Sequence, residues 1–182
     1  MKKLITLSLY ADELYYDVES RAWLTGRSRE TEGNYREVSH LQSAADSEGH
    51  AQIARMVRAA ADELRTALSE WMAESVPEAD NRLPAHPQGR CRPHILLVLL
   101  LPGNFNESAT ATLASAAHRY IVCRVLADWF LITDKADAAD YAAIAAEQLG
   151  ILREALHRRV RPMRPTPGAE TDRDTEKGGN TP

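Results

Sequence analysis

From Tyr10 onward the apolar residues Leu14, Val18 and Ala22 fall four apart, with Asp12, Glu13, Asp17, Glu19 and Arg21 elsewhere on the wheel. That spacing predicts an amphipathic helix, with Ser8 available as its N-cap and Gly26 as its stop. A longer stripe, Ile53, Val57, Ala60, Leu64, Ala67/Leu68 and Trp71, alternates steps of three and four and predicts a second helix from Asp46 or Ser47 to about Glu74. The stretch from Asn106 to Thr133 predicts a third, capped by Asn106 or Ser108. From Tyr120 it is apolar nearly all the way round, broken mainly by Arg124 and Asp128. A helix apolar on every side is normally enclosed, so Tyr120 to Ile132 is expected to be the buried centre of the molecule. Arg124 and Asp128 are four apart and share one face, where they can pair with each other or with a partner chain.

Thr133-Asp134 ends that helix and caps a fourth, from Ala136 to about Val160, with Asp137 reinforcing its start. Its face is Tyr141, Ala145, Gln148/Leu149, Leu152, Leu156 and Val160. So short a connection makes the third and fourth helices antiparallel neighbours. Between the helices, His94 to Leu101 (HILLVLLL) is a short apolar run bounded by Pro93 and Pro102, which favours a buried strand. Its partner is either Leu4 to Ser8 or a strand of another copy.

These elements predict a mainly α, single-domain bundle of about four helices with one or two short β-strands, spanning residues 1–162. Residues 27–42 are polar and aperiodic and read as an exposed loop; residues 76–93 hold Pro77, Pro84, Pro87, Gly89 and Pro93 and read as a Pro-rich connection. Residues 163–182 lack an apolar face and are expected to be a disordered tail.

Length and charge narrow the classes. At 182 residues the chain suits one domain with a real core. A formal charge of -4 argues against broad nucleic-acid binding. The longest apolar run, Ile95 to Leu101, is far short of the ~20 residues a bilayer helix needs. Asp12 and Glu13 interrupt the early apolar run before it reaches signal-peptide length, so export is not expected. Two cysteines, Cys91 and Cys123, make no disulfide framework, which suits a reduced intracellular setting.

Chemistry-bearing clusters are few. Arg153, His157, Arg158, Arg159, Arg161 and Arg164 crowd the end of the fourth helix. Three readings stay open for them: cations favoured by the helix dipole, contact with phosphate or nucleic acid, and pairing with an acidic face of a neighbouring subunit. The candidate acidic face is Asp12, Glu13, Asp17 and Glu19. His86, Cys91 and His94 lie close together but form no established zinc spacing. His118, five residues before Cys123, is off the face a catalytic pair would need, so Cys123 reads as a core thiol. Asp134, Asp137 and Asp140 are accounted for by capping. Trp71, Trp129 and Tyr141 read as core. No P-loop, GxGxxG, GxSxG or HExxH occurs. A non-enzymatic protein without cofactor or metal is expected.

The apolar strand leading into LPGNFN, the helix HRYIVCRVLADWF, the helix TDKADAADYAAIAAEQLGILREAL and the ending RRVRP resemble small helical proteins of phage and prophage structural modules of Bacteroidales type. The resemblance covers Leu101 to Pro162. More loosely, the chain is similar to head–tail connector (adaptor) proteins of tailed phages, through Gln148-Leu149-Gly150 and Arg158-Arg159. The resemblance implies a structural subunit that forms a ring with its own copies and docks on other virion proteins such as portal or tail components. It also implies at most weak non-specific DNA contact, and a place in the virion or in the host cytoplasm during assembly. The alternative expectation is a helical binding or regulatory module of a prophage or mobile element.

Overall fold

The computed structural model describes residues 1–28, 47–73 and 94–161. In chain order these form β1 (Lys2–Tyr10), α1 (Ala11–Ser28), α2 (Ser47–Ala67), a 3-10 turn (Ser69–Trp71), β2 (His94–Pro102), a second 3-10 turn (Glu107–Ala109), α3 (Thr110–Thr133) and α4 (Lys135–Leu156). Four helices with a two-stranded antiparallel sheet make a mainly α fold of the kind the periodicity predicts.

The strand His94–Pro102 finds its partner within the chain. β1 and β2 pair antiparallel over their whole length, from Lys2 opposite Pro102 to Tyr10 opposite His94. Leu97, Leu99 and Leu101 of β2 and Leu7 and Leu9 of β1 point into the core. The expectation of a buried strand holds for one face only. On the other face Leu4 and Leu96 are exposed and Val98 and Leu100 half-buried.

α3 is the central element: it packs against α1, α2, α4 and β1. From Leu113 through Phe130 its core side chains are Leu113, Ile121, Val122, Cys123, Val125, Leu126 and Phe130, all fully buried. The enclosure does not reach the end of the predicted stretch. Leu131 is 60% and Ile132 77% exposed, immediately after fully buried Phe130 and just before the chain turns at Asp134. Asp134 is extended, and it serves both helices. Its N–H closes the last turn of α3 on the Phe130 carbonyl at 2.7 Å. Its carboxylate accepts from the N–H groups of Ala136 and Asp137, capping α4 as predicted.

Several predicted boundaries move. Ser8 is a strand residue and not a cap, and α1 continues through Gly26 to Ser28, so Arg27 and Ser28 are helical and not loop. Gly26 is buried, which places it in a packed stretch of helix and not at a C-cap. α2 ends at Ala67 and gives way to a 3-10 turn, short of Glu74, so that Met72 can pair with Leu99 on the outer edge of β2. Ala73 N–H donates to the Val98 carbonyl there at 2.9 Å. α4 stops at Leu156, so Val160 is not on its face and is 55% exposed. The remainder of the predicted loop, the Pro-rich connection and the C-terminal tail lie outside the described residues.

Candidate interaction surfaces

Cations gather at the end of α4 because the helix dipole and the unpaired carbonyls of the last turn attract them. Arg159 does this directly: its guanidinium donates to the Leu156 carbonyl at 2.6 Å and to the Arg158 carbonyl at 3.1 Å. Arg158 reaches back one turn to Glu154. His157 stands edge-on to Trp71, ring centroids 5.6 Å apart. Arg153 and Arg161 are exposed; Arg164 lies outside the described residues. Arg159, Arg158 and His157 are thus engaged inside the chain, while Arg153 and Arg161 remain exposed.

The four acidic residues of α1 do not form one face. Asp17 meets His118 of α3 at 3.0 Å, and Glu19 meets His50 of α2 at 3.0 Å. His50 also lies edge-on to Tyr15, one turn before Glu19. These contacts stitch α1 to both neighbouring helices. Asp12 and Glu13 are exposed in the first turn of α1, where acidic side chains are favoured.

A polar stripe runs along α3 through Tyr120, Arg124 and Asp128. Arg124 pairs with Asp128, as its spacing predicts, and also with Glu63 of α2, through Nε at 2.8 Å and a terminal nitrogen at 3.2 Å. The hydrogen bond to Glu63 holds the guanidinium charged well above its ordinary range. Burial, together with the Glu63 charge, pushes the Tyr120 hydroxyl up. Glu63 was not identifiable from spacing because its partner sits 61 residues away. Cys123 is fully buried in the core, and burial raises its thiol pKa, as befits an inert thiol.

His94 lies against the ring of Tyr10, and His86 and Cys91 are outside the described residues. Among the described residues no group of three or more His, Cys, Asp or Glu side chains converges as metal ligands would. No described helix is long and apolar enough to cross a membrane.

The exposed large apolar side chains fall into groups. Tyr16, Trp23 and Leu24 lie on the outward side of α1, with the Arg27 guanidinium 4.9 Å from the Trp23 ring centre. Leu131 and Ile132 cap α3. Leu4 and Leu96 sit on the outer sheet face beside half-buried Val98 and Leu100. None of these groups was predicted: Leu131 and Ile132 belong to the stretch expected to be enclosed, and an outward apolar residue on α1 or on a strand resembles noise in a single sequence. Comparison of the chain with family models, curated proteins and solved structures yields no significant match.

Proposed function

We propose that this chain is a non-enzymatic structural subunit of a phage-type particle, a head–tail connector that forms a ring with its own copies and docks on portal or tail components. The observation that carries the reading is the presence of separate exposed apolar groups on one small domain, Tyr16/Trp23/Leu24 on α1 and Leu131/Ile132 at the end of α3. A ring subunit meets its two neighbours through two different surfaces, and exposed aromatic and aliphatic side chains gathered in groups are what such contacts bury. Exposed Asp12 and Glu13 at one helix start and exposed Arg153 and Arg161 near another helix end add opposite charges for register. The resemblance read in the sequence from Leu101 to Pro162 points to the same reading.

Light scattering and negative-stain imaging of the protein, alone and mixed with portal and tail proteins, test it. Rings are expected in at least one mixture, and the paired change Trp23→Ser with Leu24→Ser is expected to abolish them without altering the circular dichroism spectrum. A chain that forms no ring in any mixture, or rings indifferent to that variant, would overturn the proposal.

A further inference from the structure

The two edges of the sheet differ. The outer edge of β2 is occupied by Met72 and Ala73, which pair with Leu99 and Val98. The outer edge of β1, nine residues long, carries no pairing among the described residues. Beside it lies a hollow of about 570 Å³ lined by Lys3, Leu4, Ile5, Glu107 and Thr110. An open strand edge is a template for another strand, and β1 has neither a proline nor a bulge to prevent pairing. Its charged residues, Lys2 and Lys3, stand only at the beginning.

We infer that β1 pairs antiparallel with β1 of a second copy, across a two-fold axis near Thr6, to give a continuous four-stranded sheet. The occupant is chosen by charge. In the register that uses all nine residues, Lys2 lies opposite Tyr10 of the other copy, so exposed Lys2 of each strand meets exposed Asp12 and Glu13 at the start of the other copy's α1, while Lys3 stays paired with Glu107 of its own chain at 2.8 Å. The same register sets the two lysine pairs at opposite ends of the contact, about 27 Å apart at the usual strand rise and well beyond the screening length. A two-fold axis normal to the sheet keeps all outer-face residues on one side, so the exposed Leu4 and Leu96 of both copies join one apolar surface. Because Met72-Ala73 occupies part of the other edge, the pairing closes as a dimer and does not propagate as a fibre. The contact rests on the open edge of β1 and not on the exposed apolar groups of α1 and α3 that carry the ring proposed above, although both draw on Asp12 and Glu13.

Sedimentation velocity over a wide concentration range tests the dimer. In the proposed register Leu4 faces Ser8 of the other copy. The double variant Leu4→Lys with Ser8→Lys then places like charges opposite each other twice and is expected to weaken the dimer roughly tenfold or more. The variant Leu4→Lys with Ser8→Glu places opposite charges there and is expected to restore it. In the unaltered protein, β1 amides are expected to gain hydrogen-exchange protection as concentration rises, a readout that stands even if a variant fails to fold. A protein monomeric at every concentration would overturn the inference. So would two variants that dimerise alike, or β1 amides protected by an added extended peptide while the chain stays monomeric.

Discussion

His118 Nε2 and Asp17 Oδ2 lie 3.0 Å apart although 101 residues separate them. The contact ties the central helix to α1 from a partly buried position, with side-chain exposures of 27% and 36%. At that exposure solvent screens much of the attraction, so its coupling energy is expected to be below about 1 kcal/mol. A double-mutant cycle with Asp17→Asn and His118→Gln, read by urea denaturation, measures it directly.

Phe130 and Ile132 are two residues apart, yet one is fully buried and the other 77% exposed. Phe130 stacks on Tyr141 of α4, centroids 5.5 Å apart and rings 16° from parallel. Phe130→Ala is expected to cost about 3–5 kcal/mol, the usual loss for a buried aromatic. Ile132→Ser is expected to stay within about 0.5 kcal/mol of the parent. Thermal and urea unfolding of both variants check the contrast.

The glycines Gly103 and Gly150 respond in opposite directions to the same change. A Cβ on Gly103 would stand 2.6 Å from the Met1 carbonyl oxygen, so backbone must shift to admit it. A Cβ on Gly150, exposed within α4, meets nothing within 4 Å. Gly103→Ala is expected to destabilise by about 1–3 kcal/mol. Gly150→Ala is expected to stabilise by up to about 1 kcal/mol through helix propensity. Denaturation midpoints of the two variants decide.

Alkaline pH should weaken the fold through two groups on α3. Burial raises both the Cys123 thiol and the Tyr120 hydroxyl above their ordinary values of 9.0 and 10.0. The folded state then holds these protons more tightly than the unfolded chain does. Their contribution is complete below the unfolded values and is lost as pH rises past about 9 toward the raised folded values. Cys123→Ala and Tyr120→Phe should each flatten the decline of stability on that limb, measured by urea unfolding at several alkaline pH values.

Much of the fold was legible because it rests on local periodicity. The stripe from Ile53 to Leu68 and the central position of α3 follow from spacing alone, and the Asp134 cap from residue type. Boundaries were less legible where a distant partner set them. α2 yields at Ala67 because Met72 reaches β2, and Gly26 lies inside a helix because its surroundings are packed. The interaction surfaces were harder still. Asp17 and Glu19 look like solvent-facing acids in the sequence, and only the arrival of His118 and His50 makes them struts between helices.

After α4 ends, the chain does not simply leave. The Asn106 N–H donates to the Arg158 carbonyl at 3.1 Å, and the Val160 N–H donates to the Asn104 carbonyl at 2.8 Å. This clasp fastens the finish of the α3–α4 hairpin to its beginning. The cooperative unit therefore reaches past the last helical residue at least as far as Val160, and a chain cut at Leu156 would lose this seam.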